Sequence, residues 1–142
     1  MSRTFTAALI GLALASPAFA QAPQGGDNGG GVVRTPKPVT GEQVYTQVCQ
    51  ACHMADAKGA TGAGTIPALA ANPKLGVSAY AVTIVAKGQG AMPGFYELLD
   101  AQQIAGVLTY LRTNFGNSIA KPVTAEDVVR IAGPRPGPSA GH

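Results

Sequence analysis

Cys49-Gln50-Ala51-Cys52-His53 places two thiols three residues apart, on one side of a helical turn, with an imidazole directly after the second. Each thiol of such a pair can add across one vinyl group of a haem, leaving His53 beneath the iron as an axial ligand. The spacing is that of a c-type haem attachment site. Other uses of the pair fit less well. A thioredoxin-like dithiol wants a βαβ context, which this chain lacks. Zinc wants a fourth ligand, and the other histidine is His142, the last residue. A structural disulfide across so short a loop would constrain the unfolded chain little.

Met92 is the second candidate for chemistry. A lone methionine is usually core filler on a helix face. This one stands in Gly88-Gln89-Gly90-Ala91-Met92-Pro93-Gly94-Phe95, between glycines and directly before a proline, where little regular packing would justify it. A sixth iron ligand is the better reading. Met54 adjoins His53 and could not easily reach the opposite face of the ring.

The elements that must hold these residues begin late in the chain. Arg3, the apolar run 7–15 and the small residues Ser16-Pro17-Ala18-Phe19-Ala20 form a secretory signal, with cleavage expected after Ala20 and the mature protein in the periplasm. The apolar run is too short to span a bilayer, and no later run approaches that length. Residues 21–38, rich in Gly, Pro, Gln and Asn, read as a flexible leader, and 133–142 as a disordered Pro/Gly tail. One small domain over 39–132 remains, with a marginal apolar core that a buried porphyrin would fill.

Within that domain Thr40 and Gln43 form a capping box for a helix whose Val44, Tyr45 and Val48 turn inward and whose last turn delivers Cys49 and Cys52. Asn72-Pro73 starts a short turn. The β-branched residues of 78–87 would suit a strand, but Ala79, Ala81, Ala86 and a Ser78 cap favour helix. Asp100 and Gln103 cap the strongest helix, with Ile104, Val107, Leu108, Leu111 and Phe115 in one stripe and Gly116 ending it. Another short helix begins at Thr124, with Glu126 and Asp127 suited to its first turn. No strands or repeats stand out, so the expected class is all-α.

Ten Lys+Arg against seven Asp+Glu give +3, or +2 once Arg3 leaves with the signal, and two haem propionates bring the holoprotein near neutrality. The basic residues are scattered rather than clustered, which argues against a nucleic-acid partner.

Residues 39–117 resemble the class I c-type cytochromes. Gly41-x-x-x-Tyr45 is similar to the small and aromatic positions of that family's N-terminal helix, and Val107-x-x-Tyr110-Leu111 to the partner positions of its C-terminal helix. The resemblance implies a small cytochrome c fold in which these helices cross around one covalently attached haem c. Pro67 and Leu69 resemble the Pro-x-Leu that follows the haem motif, which implies that the Pro67 carbonyl accepts a hydrogen bond from the His53 nitrogen facing away from iron. Met92-Pro93 resembles the family's methionine ligand loop. The run 108–117 resembles monohaem cytochrome subunits of bacterial periplasmic dehydrogenases.

The site residues expected are therefore Cys49, Cys52, His53, Pro67, Leu69 and Met92, with His53 and Met92 on the metal. Iron gripped from both sides has no vacant position, which favours one-electron exchange over substrate chemistry. The expected function is an electron carrier, not an enzyme, working between redox protein partners, a periplasmic dehydrogenase among them, through small and short-lived contacts. Two alternatives stay open: a haem enzyme or gas-binding protein whose methionine dissociates, and a haem-free module with a Cys49–Cys52 disulfide.

Overall fold

Thr40 caps the first helix through the pattern its sequence announces. Its hydroxyl accepts from the Gln43 amide at 3.1 Å, and the Gln43 side chain accepts in return from the Thr40 amide at 3.1 Å. The computed structural model describes residues 37–137; the expected signal, the leader up to residue 36 and the tail from residue 138 lie outside the described residues. From the cap, α1 (Gly41–Val44) runs without a break through a π-helical turn, Tyr45–Cys49, into α2 (Gln50–His53).

Nothing in the residue pattern announced that π turn. The Gln50 amide closes it on the Tyr45 carbonyl, and the extra residue in the turn rotates the cysteine-bearing end relative to buried Val44 and Tyr45. The stretch stops at Met54, whose φ of 65° leaves the helical region. Its carbonyl is held by the Tyr45 hydroxyl at 2.6 Å.

Two antiparallel ladders of two residues per strand follow, β1 (Ala60–Thr61) with β2 (Thr65–Ile66), and β3 (Gly88–Gln89) with β4 (Met92–Pro93). The expectation of a chain without strands is corrected accordingly: the domain is helical with two small sheets. Strands this short carry no apolar alternation, so they left no mark in the pattern. Between the ladders lie a 3-10 turn, Pro73–Gly76, with Asn72 accepting from the Lys74 amide at 3.0 Å, and α3 (Ser78–Lys87). The 78–87 segment is a helix, but Ser78 is its first residue and not its cap. Val77 holds the cap position, and the Ser78 hydroxyl accepts from Arg112 instead.

The Asp100–Gln103 capping box starts α4 (Ala101–Thr113), and Thr124 caps α5 (Ala125–Ala132) with Asp127 completing the box. α4 ends before the glycine expected to stop it. Asn114 is extended, Phe115 takes a φ of 54°, and the reversal brings the Phe115 ring to 4.9 Å from Tyr45 and 5.7 Å from Tyr110. Closing an aromatic cluster offsets the strained backbone at Phe115.

α1 crosses α4 where Gly41 meets Gly106. A Cβ on Gly41 would fall inside the Gly106 carbonyl and lie 2.9 Å from the Tyr110 Cβ, so the approach requires glycine there. The stripe Ile104, Val107, Leu108 and Leu111 is buried with Val44, Val82 and Val128. Buried Arg112 ties the lower elements to α4, donating to the Leu75 carbonyl at 2.8 Å, the Lys121 carbonyl at 2.7 Å and the Ser78 hydroxyl at 3.0 Å. Beyond α5 the first tail residues are engaged rather than loose: Tyr96 donates its hydroxyl to the Gly133 carbonyl at 3.1 Å, and Arg135 reaches back to the same loop.

Candidate functional site

The two thiols and the imidazole leave one short segment at different depths. Cys49, last residue of the π turn, is half-buried; Cys52 on α2 is exposed; His53, last residue of α2, is buried with 7% of its surface accessible. Both cysteines are free thiols. Burial pushes the Cys49 thiol up to about 11, with neighbouring Cys52 adding a smaller push.

His53 Nδ1 lies 3.1 Å from the Pro67 carbonyl oxygen. With the proton on Nδ1 the imidazole donates to that carbonyl, and the Nε2 lone pair is left for a metal. Pro67 is brought there by the loop that leaves α2. The Gly59 amide donates to the His53 carbonyl at 3.2 Å, and Gly59 has a φ of 69°; a Cβ on it would lie 2.1 Å from the Ile66 carbonyl oxygen and 2.9 Å from both the carbon and the oxygen of the Pro67 carbonyl. Glycine at 59 therefore lets the carbonyl that orients His53 come close.

Leu69 is tied to the same loop by backbone. Its amide and that of Ala70 both donate to the Ala57 carbonyl, at 2.8 and 2.9 Å, and Ala57 is fully buried. Asn117 fastens the far side of this loop to the end of α4, donating to the Leu69 and Leu111 carbonyls at 2.9 and 2.8 Å and accepting from the Asn72 amide at 2.8 Å. Composition gave no hint of Gly59, Ala57 or Asn117. A glycine six residues after the histidine and an asparagine just past a helix end were the available signals.

Met92 stands on a separate element. It is half-buried on β4, paired with Gln89 of β3, in a hairpin anchored to the end of α3 by the Phe95 amide on the Val85 carbonyl at 2.9 Å and the Tyr96 amide on the Ala86 carbonyl at 3.3 Å. The structure thus joins His53 to Pro67 by contact, links Leu69 to them through the loop backbone, and carries Met92 on its own hairpin.

This donor set fits a haem. One imidazole has its second nitrogen engaged, two unbridged thiols share its helical segment, Cys52 directly before it and Cys49 a turn back, and half-buried Leu69, Val85 and Phe95 supply apolar surface packed on the core. Among the described residues no group of three or more His, Cys, Asp or Glu side chains is gathered to hold a bare metal ion.

A family model described as cytochrome c oxidase, cbb3-type, subunit III matches residues 36–111. The alcohol dehydrogenase (quinone) cytochrome c subunit of Gluconacetobacter polyoxogenes is 35% identical over 106 residues, covering 66% of this chain and 22% of the relative. The corresponding subunit of Gluconobacter oxydans (strain 621H) is 32% identical over 104 residues, covering 64% of this chain and 21% of the relative. The gluconate 2-dehydrogenase cytochrome c subunit of Pantoea cypripedii is 34% identical over 107 residues, covering 65% and 24%. The chain spans less than a quarter of the length of these curated relatives.

Proposed function

The chain belongs to the cbb3-type cytochrome c oxidase subunit III family of c-type cytochrome domains, and from that membership we propose that it is a periplasmic electron carrier holding one haem c through Cys49 and Cys52. When bound, the haem would supply one-electron exchange, and His53 and Met92 would hold its iron. The protein residues do the rest. Pro67 keeps the Nδ1 proton of His53 in place, which fixes the ring plane and makes Nε2 a stronger donor. The Met92 thioether is a soft ligand that would suit Fe(II), and half-buried Leu69 would set apolar surface against the haem; both effects would raise the reduction potential.

The donor we assign is a dehydrogenase, because the relatives are cytochrome subunits of a quinone alcohol dehydrogenase and a gluconate 2-dehydrogenase; the acceptor is respiratory. Export by the signal over residues 1–20 fits covalent haem attachment outside the cytoplasm, and no helix among the described residues is long and apolar enough to cross a membrane.

The observation that carries this reading is the 3.1 Å contact of His53 Nδ1 with the Pro67 carbonyl, which leaves one nitrogen, beside two free thiols, for iron. The test is coordination. The holoprotein should be low-spin and six-coordinate in both oxidation states at neutral pH, and the reduced form should not bind carbon monoxide. A five-coordinate, high-spin ferric form that binds it would support the haem enzyme or gas-binding alternative.

A further inference from the structure

Past the hairpin that carries Met92, the chain is held from an unexpected direction. The hairpin itself is secured on one side, through the Phe95 and Tyr96 amides on the carbonyls that end α3. The next carbonyls face the C-terminal segment. Arg135 Nε donates to the Tyr96 carbonyl at 3.1 Å, another nitrogen of the same guanidinium donates to the Glu97 carbonyl at 2.6 Å, and the Tyr96 hydroxyl donates to the Gly133 carbonyl at 3.1 Å. Three bonds therefore stitch 133–135 to 96–97, with the Tyr96 ring buried between them.

The charge reaches further. At Asp100, the cap of α4, burial works against the charged form but is outweighed by the Gln103 amide, Lys37 and Arg135, so the carboxyl lies below its ordinary range. Arg135 thus holds the loop between Met92 and α4 by its carbonyls and lies within electrostatic reach of its end. Residues 133–135 fall outside 36–111, the part that the family model matches.

We propose that residues 133–135 form a clamp on the Met92 loop, with Arg135 as a positioning residue that keeps the thioether on iron. The proposal rests on the reading of Met92 as the sixth ligand. A loop tethered on both sides opens less often, and an outside ligand competes for iron only in the open state. Its apparent affinity then scales with the open fraction. Removing hydrogen bonds from a charged, partly solvated donor raises that fraction by a modest factor, about fivefold.

The test uses the full-length ferric holoprotein and titrates imidazole against the charge-transfer band of the methionine–iron bond. Arg135→Ala, and separately a stop codon after Ala132, should bind imidazole about fivefold more tightly. Tyr96→Phe, which loses one neutral bond, should show a smaller gain, and Arg135→Lys should lie between Arg135→Ala and wild type. Gly41→Ala, destabilising at the α1–α4 crossing, should leave the affinity unchanged, which separates a clamp from general loosening. Amide exchange at Phe95 and Tyr96 should quicken in Arg135→Ala. Wild type showing the band, with every Arg135 and Tyr96 variant binding imidazole as wild type does, would overturn the clamp alone. Wild type lacking the band, with Met92→Ala no different, would remove Met92 as a ligand and the clamp with it.

Discussion

At His53 the contact of Nδ1 with the Pro67 carbonyl leaves one ring nitrogen open, the position proposed for iron. Replacement of His53 by alanine should prevent stable haem assembly, whereas Met92→Ala should leave the haem attached, lower the potential and open the reduced protein to carbon monoxide, as spectra and potentiometry would record. Gly59 is the test of the orienting carbonyl. At a φ of 69°, with a Cβ driven into the Ile66 carbonyl oxygen and crowding the Pro67 carbonyl beside it, Gly59→Ala should cost about 2 kcal/mol in thermal or denaturant unfolding, and an unchanged stability would contradict that packing. Tyr45 supplies a pH dependence. Burial first, and the nearby Cys49, Asp56 and Tyr110 after it, push its hydroxyl up to about 12 from 10.0, so the folded state favours the neutral phenol that donates to Met54. The stabilisation is complete below pH 10 and is lost as the pH rises through 12, because there the unfolded chain releases the proton first. Tyr45→Phe should flatten the fall in unfolding temperature over that range. The cysteines, His53 and Met92 stand out by type and spacing, and Pro67 through its resemblance to the Pro-x-Leu that follows the haem motif. Ala57, Gly59 and Asn117 could not, because they act through backbone geometry that composition does not encode.

Among the elements, the α1–α4 crossing gives a paired prediction. Gly41→Ala should destabilise by roughly 2–3 kcal/mol, since the added carbon meets the Gly106 carbonyl and neither backbone can yield cheaply. Gly106→Ala should be near neutral or stabilising, because its Cβ would sit 3.5 Å from the Gly41 nitrogen and the helix gains about 1 kcal/mol of propensity. Equal effects from the two, measured by denaturant unfolding, would mean that the helices do not cross as described. The capping boxes at Thr40 and Asp100 and the stripe of α4 were legible because each is a local pattern with its own chemistry. The π turn, the early end of α4 and the two ladders were not. The ladders have two residues per strand, too few for an alternation to show, and the end of α4 answers to a partner far off in the chain, as Phe115 turns back onto Tyr45.

On the scale of the molecule, the protein side chains supply a framework for a group the chain does not encode. The absence of Trp and the modest number of Tyr and Phe agree with a core completed by a porphyrin. The proposed site draws on three separated stretches: the helix ending at His53, the loop through Pro67 and Leu69, and the hairpin of Met92. Purification from the source with identification of what accompanies the protein tests the dehydrogenase proposed as donor. The most direct measurement is mass spectrometry of peptides from the mature, exported protein. The peptide spanning Cys49 to His53 should carry the mass of one haem, retained through acid-acetone extraction, with both thiols consumed. The same peptide recovered without that mass, as free thiols or as a Cys49–Cys52 disulfide, would contradict the account.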